Sequence, residues 1–258
     1  NASEIKQFDE IGGAWWDESG PFRPFHLMNP VRLGYIRTQV DQWMSRPSGF
    51  AKAMLERVGQ IKILDIGCGG GIAAFAMGSK ASLVIGVDHQ SEMLDMFTEN
   101  AKARNINSKV HEGFWPEIES QVEVADVAVA HHVVYNVQDI APFINALNSH
   151  ARKRVVIEMP QHHPLSNLSA AWKYFWNLER PVNPTPQDFV DVLSQLGIKA
   201  HLQLWNGQLR QERNLDDAVR FTRIRLCLPE AREPEVRKFL ESHPPSEIRP
   251  LATIWWDN

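Results

Sequence analysis

The stretch ILDIGCGGGIAAFA, residues 63–76, passes from an apolar strand into a run of glycines and emerges as a helical pattern. Gly67, Gly69 and Gly71 stand at alternate positions, with Gly70 between the last two. Glycine lacks the side chain that would keep a ligand away from the backbone, so such a loop invites close approach. It can cradle a dinucleotide, a nucleoside or a phosphate.

On either side of this stretch, strand and helix patterns alternate. IKILDIG reads as a strand and IAAFAMGS as a helix, then SLVIGVD as a strand and SEMLDMFTENAKARN as a helix with Ser91 as its N-cap. A short strand near KVHEG follows, then the strand DVAVAHH, a helix from about Ile140 to His150, and the strand RVVIEMP. Strands separated by helices imply right-handed βαβ units. The predicted fold is therefore α/β, a doubly wound and mostly parallel sheet. Ahead of it, residues 1–58 read as a helical cap interrupted at Pro21, Pro24 and Pro30. Residues 59–160 form the core of the sheet, and 161–186 carry a helical apolar stripe at Leu165, Leu168, Trp172 and Phe175 or Trp176. That segment is long for a simple connection and suits a cover over the ligand edge. Residues 187–258 complete the sheet, beginning with a helix capped at Thr185 or Asp188 and ended at Gly197. KAHLQLW and LATIWWD read as strands, and LDDAVRFTRIRLCL between them as a helix. The whole is expected to be one domain.

A chain of 258 residues, 43% hydrophobic and 22% charged, can bury a sizeable core. Its net charge of −4 argues against a surface built for nucleic acid. No apolar run reaches the ~18 residues of a membrane span. With only Cys68 and Cys227, a disulfide framework is not expected, and a reducing cytoplasm suits the chain.

Counted from Gly67, the dinucleotide pattern G-x-G-x-x-G places its third glycine on Ile72. Counted from Gly69 it falls on Ala74, which that pattern tolerates, so an NAD-dependent oxidoreductase stays open. The fuller description is Asp65-x-Gly67-x-Gly69-x-Gly71. A carboxylate beside the loop repels a pyrophosphate and suits a ligand carrying an ammonium group. The next strand ends in Asp88, which can accept both hydroxyls of a ribose. Together the two acids favour a cationic nucleoside with an amino-acid tail, a description that S-adenosylmethionine meets.

LDIGCGGG, IGVDHQSEML, ADVAVAHHVVYNV and RVVIEM resemble the ordered motifs of class I S-adenosylmethionine-dependent methyltransferases over about residues 50–258. The resemblance implies a seven-stranded Rossmann-like sheet with an antiparallel edge, and S-adenosylmethionine as cofactor with S-adenosylhomocysteine as product. It implies that Asp65, Gly67, Gly69 and Gly71 surround the methionine part, with Cys68 in the same loop, and that Asp88 holds the ribose. His89 and Met93 fall near the adenine. The family commonly places an acid after a glycine on the third strand; here Phe114 and Trp115 follow Gly113, which implies an aromatic contact instead. The N-terminal FDEIGGAWWDESGPFRPFHLMNPVRLGYI is similar to the ubiquinone-biosynthesis O-methyltransferases. The part from HHPLSNLSAAWKYFWNLERPVNPTP onward looks closer to unassigned bacterial methyltransferases of the same superfamily. The expected activity is methyl transfer to a small molecule, with an oxygen on an aromatic or quinol-like compound as acceptor.

Methyl transfer to a hydroxyl needs alignment, a dry pocket and a base. His131 and His132, at the end of DVAVA, are the candidates, His131 also as a cofactor contact; both can equally serve to orient backbone. His26 and Arg32, from the N-terminal resemblance, are candidate substrate contacts, as are Tyr135, Asn136, Trp172 and Trp176. The aromatic residues of the cover segment suit a core equally well. His162 and His163 lack a spaced ligand set, so no metal is expected. A protein that keeps the fold and binds the cofactor without turnover fits the same sequence. Oligomeric state has no signature in it.

Overall fold

The computed structural model describes residues 61–75, 81–208, 214–244 and 248–258. The N-terminal cap expected over 1–58, with His26 and Arg32, lies outside the described residues. Seven strands form one sheet in the order β3-β2-β1-β4-β5-β7-β6. They are β1 (Ile61–Ile66), β2 (Ala81–Asp88), β3 (Ser108–Glu112), β4 (Ala125–His131), β5 (Ala151–Pro160), β6 (His201–Gln208) and β7 (Ile248–Asp257). The pairings of β1 with β2 and β4, β2 with β3, and β4 with β5 are parallel, whereas β7 runs antiparallel to β5. The doubly wound, mostly parallel fold predicted from the sequence is the one observed. Winding reverses at β1, which lies between β2 and β4, and in such sheets ligands bind beyond the strand ends at that reversal.

The contacts sort the described residues into two compact units. The larger holds most of the sheet, within residues 31–161, 184–205 and 250–258, with the end of β6 and the first residues of β7 counted in the other unit. On one face, Leu64, Ile66, Val87, Ala130 and Ile157 pack with Phe143 and Leu147 of α3 (Ile140–Ser149) and with Phe189 and Leu193 of α5 (Pro186–Gln195). On the other, Ile63, Val84, Val129 and Val156 pack with Leu94, Phe97 and Ala101 of α2 (Ser91–Ala103). This alternation sends Trp256 into the first cluster and Trp255 against the second, one facing each side of the sheet. α1 (Ile72–Phe75) follows the glycine loop.

Two helix starts are instructive. Thr185 and Asp188 form a reciprocal capping box at α5, and Gly197, at φ +78°, lies just past its end, as the sequence suggests. At α2, Ser91 is the first helical residue and Gln90 the cap residue, without a side-chain cap bond, contrary to expectation. The Gln90 N–H is met instead by Asp88 Oδ1 at 3.1 Å.

The second unit draws on residues 162–183 and 206–249. Its core is Ala171 of α4 (Ser169–Trp176), Val219 of α6 (Leu215–Arg225), Leu226, Leu228, and Val236 and Phe239 of α7 (Glu233–Ser242). Part of the apolar stripe of the expected cover segment, Trp172 and Phe175, packs on helices that follow it in sequence. Trp172 and Phe175 pack on this core, and the Trp176 indole donates to the Leu226 carbonyl at 2.8 Å.

Candidate active site

The glycine loop is tied to the neighbouring strand at three points. Gly67 and Cys68 N–H both donate to the Val87 carbonyl, at 2.8 and 3.1 Å, and Gly69 N–H donates to Asp88 Oδ2 at 2.9 Å. Asn100 of α2 donates to the Gly70 carbonyl at 3.1 Å, closing the loop from the helix side. Gly67, Gly69 and Gly71 have φ of +66°, +48° and +80°, the left-handed region where any other residue is strained. The two ends of the alternation have close neighbours: a Cβ on Gly67 would meet Val133 Cγ2 at 2.5 Å, and one on Gly71 would meet the Phe75 ring at 2.3–2.6 Å. Gly69 differs. Among the described residues, a Cβ there would meet nothing within 4 Å, so they leave the middle of the loop clear.

Asp88 therefore has two tasks within the protein alone, bonding Gly69 and Gln90 through separate oxygens. A carboxylate carries about four acceptor positions, so it retains capacity for a ligand's hydroxyls. His89 Nδ1 lies 3.5 Å from Asp88 Oδ1, and its ring stacks on Phe114 with centroids 4.8 Å apart and 19° between planes. Phe114 is 59% exposed, unusually open for so large an apolar ring. Gly113 N–H donates to the Asp88 carbonyl at 2.9 Å, which brings this aromatic pair to the ribose-binding candidate. Met93 sits half-buried in the first turn of α2.

Trp115 goes elsewhere. Its indole packs on the first core cluster and donates to the Phe143 carbonyl at 3.3 Å, so of the two aromatics after Gly113 only Phe114 joins His89.

Asp65 is 1% exposed near the end of β1. Burial, reinforced by the charges of Asp65 and Asp88, pushes the Cys68 thiol well above its ordinary pKa, which favours its protonated form. The two acids also give the loop a negative field, which favours a cationic ligand over a pyrophosphate.

His131 ends β4 and is 8% exposed. The register pairs His131 with Glu158 and Glu158 with Thr253, one buried polar row across β4, β5 and β7. Asp65 is registered with Val129, two residues before His131, so it lies on the same face. His132 follows at φ +60°, and this left-handed residue breaks the strand alternation. Its N–H donates to the Glu158 carbonyl at 2.9 Å, and its Nε2 stands 3.2 Å from Glu158 Oε1. Tyr135, in the 3-10 turn Val134–Asn136, places its ring edge-on to His132 at 6.3 Å, and Asn136 is exposed on the same turn. The Gly67–Val133 approach brings this turn against the glycine loop. Asp65, the three glycines, Asp88, His89, Phe114 and the two histidines thus gather around the ends of β1, β2 and β4. Trp172 and Trp176 belong to the second unit, where the Arg180 guanidinium lies over the Trp172 ring at 5.3 Å.

Glu158 was not among the candidates from sequence. The signal available was a lone acid in the otherwise apolar VVIEMP, where a buried strand calls for another aliphatic residue. Among the described residues, no three His, Cys, Asp or Glu side chains come together as metal ligands, and no helix is long and apolar enough to cross a membrane.

Residues 63–154 match the family model described as "Methyltransferase domain". A ubiquinone biosynthesis O-methyltransferase of Bartonella tribocorum is 33% identical over 144 residues, 56% of this chain and 57% of that protein. Its counterpart in Bartonella quintana is 30% identical over 175 residues, 68% of this chain and 66% of that protein. The chain thus spans under two thirds of the length of these curated relatives. Among solved structures, magnesium protoporphyrin IX methyltransferase from Synechocystis PCC 6803 with bound SAH matches with a TM-score of 0.54 at 14% identity, covering 96% of this chain and 94% of that one. The YcgJ protein from Bacillus subtilis gives 0.54 at 16% identity, covering 80% and 97%.

Proposed function

Because the sheet-bearing core is a methyltransferase domain of the class I fold, we propose that this protein transfers the methyl group of S-adenosylmethionine to a small-molecule oxygen. The acceptor in this reading is an aromatic or quinol-like hydroxyl, by analogy with the ubiquinone biosynthesis O-methyltransferases it resembles. One observation carries the assignment. The open space over Gly69 is flanked by Asp88 and tied, through the contact of Gly67 with Val133, to the turn that bears His132.

The residues suit the cofactor. Gly69 leaves room for it, Asp65 and Asp88 supply the charge that an ammonium and a ribose require, and the His89–Phe114 pair offers a planar face to adenine. When bound, S-adenosylmethionine supplies a methyl group on a positively charged sulfur that departs as a neutral thioether. The chain's own part is to hold donor and acceptor in line and to take a proton. Positioning alone accounts for a large share of such rate enhancements, about 7–11 kcal/mol at best. In this reading one of the two histidines at the end of β4, His131 or His132, accepts the proton of the hydroxyl as its oxygen attacks the methyl carbon, and Tyr135 and Asn136 border the acceptor from the turn that follows.

The test is calorimetric titration with S-adenosylmethionine, S-adenosylhomocysteine and NADH, followed by labelled-methyl transfer to phenols and catechols. Binding of both sulfur nucleosides and labelling of a hydroxyl are expected. Binding of NADH alone would turn the assignment to hydride transfer. Tight binding of the sulfur nucleosides with no acceptor labelled would mark a cofactor-binding protein without turnover.

A further inference from the structure

We propose that Asn100 and Arg104 of α2 form a positioning pair that sets the second half of the glycine loop for its ligand. This rests on the methyl-transfer reading only in what that ligand is. The first half of the loop is tied to β2 through the N–H groups of Gly67, Cys68 and Gly69, whereas at Gly70 the tie passes to the side chain of Asn100, 30 residues further along the chain. Gly69, Gly70 and Gly71 have no side chains to wedge them in place, and glycine loses more freedom on ordering than any other residue. A ligand that meets such a loop already ordered is spared that cost, so whatever fixes the loop raises affinity.

The pair works on one peptide plane. The Gly70 carbonyl accepts from Asn100 Nδ2 at 3.1 Å, and on the opposite edge of the same peptide the Gly71 N–H donates to the Cys68 carbonyl at 2.9 Å. Rotating that peptide breaks both bonds. An amide side chain can present its oxygen or its nitrogen, and only the nitrogen serves a carbonyl. Arg104 makes the choice. Its Nη1 donates to Asn100 Oδ1 at 3.1 Å and to the Asn100 carbonyl at 3.0 Å. A guanidinium has donors alone, so it holds the amide oxygen and leaves Nδ2 for the loop. The two residues stand at the i, i+4 spacing that makes side chains neighbours on a helix. The Arg104 guanidinium also lies 6.0 Å from the centre of the Phe75 ring, and the Phe75 N–H donates to the Gly71 carbonyl at 2.9 Å. Leu94, Phe97 and Ala101 anchor α2 in the second cluster, so the pair stands on a fixed base. Arg104 itself is exposed, so a surface residue bears, through Asn100, on what the loop binds.

The experiment reads the Gly70 carbonyl directly in the full chain. The sequence has three Gly–Gly peptide bonds, 12–13, 69–70 and 70–71, so protein carrying 13C-carbonyl and 15N glycine gives three carbonyl–nitrogen correlations. Gly12→Ala and Gly69→Ala each remove one of them, which assigns the third to Gly70 and Gly71. Asn100→Leu, of similar size but without a donor, is expected to move the Gly70 carbonyl signal upfield. It is also expected to weaken S-adenosylhomocysteine binding about three- to tenfold in calorimetry, the worth of one hydrogen bond. Asn100→Asp keeps the shape but sets acceptor against acceptor, and should lose at least as much. Arg104→Met should move the same signal in the same direction by less, with about a twofold loss of affinity, and should add nothing in the Asn100→Leu background. An unmoved Gly70 signal in Asn100→Leu overturns the proposal, and so does a moved signal with unchanged affinity. Should Asn100→Leu not fold, an unmoved signal in Arg104→Met, at an exposed site, overturns it in the same way. A wild type that binds no S-adenosylhomocysteine removes the methyl-transfer reading instead, while the Gly70 signal still decides whether the pair holds the loop.

Discussion

Alanine at Gly69 and alanine at Gly67 should fail in opposite ways, although the two glycines are two residues apart with similar backbone angles. At Gly69, φ is +48° and an added Cβ meets nothing among the described residues within 4 Å. The folded chain then bears only the left-handed penalty, about 1–2 kcal/mol. For a protein of this size that is a fall in Tm of roughly 2–8 °C. The new methyl group projects into the space assigned to the cofactor, where overpacking costs about 1–3 kcal/mol. Affinity for S-adenosylhomocysteine should therefore drop by roughly 5- to 150-fold. At Gly67, φ is +66° and the Cβ would stand 2.5 Å from Val133 Cγ2, a stiff β-branched side chain. Strain and overpacking now add within the protein, to about 2–5 kcal/mol. Displacing Val133 also displaces the turn that carries His132, so kcat should suffer beyond any loss of affinity. Thermal unfolding of each variant, with calorimetry against S-adenosylhomocysteine, separates the two. The reasoning fails if Gly69→Ala binds like the wild type, or if it is destabilised as much as Gly67→Ala.

Three further outcomes are expected. Asp88→Ala should weaken S-adenosylhomocysteine binding by about 1.5–3 kcal/mol, the range for hydrogen bonds to a charged group, and calorimetry that finds unchanged affinity would count against the ribose assignment. Glu123 is pushed up by partial burial but pulled further down by Lys109 and His111, which bond its carboxylate, to a pKa of about 2 from an ordinary 4.5. Its folded value is the lower one, so its contribution is present above about pH 4.5 and is lost as pH falls towards 2. Urea unfolding followed across that window should show a shallower acid decline in Glu123→Gln than in the wild type. Trp256, 2% exposed with its indole donating to Asn148 Oδ1 at 2.7 Å, should cost about 3–5 kcal/mol when changed to alanine, read as a shift in the denaturation midpoint.

The elements that position the site were legible because their signals are local. Apolar runs mark β1, β2, β4 and β5, glycines at alternate positions announce a backbone that a ligand approaches, and Thr185 with Asp188 spells out a helix start. Asp88 was marked as a candidate by its place at a strand end, and His132 by following one. Glu158 left only the signal of a lone acid in an apolar strand, because which residues it pairs with across strands far apart in sequence leaves no mark on either. Trp115 and Phe114 look alike in sequence, and only the path of the chain after Gly113 sends one inward and leaves the other exposed. Helix α7 went unread between Pro234 and the prolines at 244 and 245, although Val236, Phe239 and Leu240 have helical spacing. Trp172 and Phe175 revealed a helix with an apolar face but not its partners, since any apolar surface satisfies such a stripe.

The place of β7 bears on how the protein is made. It follows every other strand in sequence, yet it stands sixth in the sheet, between β5 and β6. Until the ribosome has released residues 248–257, β5 exposes an unsatisfied edge and β6 has no neighbour to join. The first five strands, with the glycine loop and the histidine turn, can already be paired at that stage. The nascent chain therefore carries the glycine loop and the histidine turn on five of the seven strands, with a sticky, largely aliphatic border. Its safety from aggregation in that interval depends on how soon ten late residues arrive to close the gap.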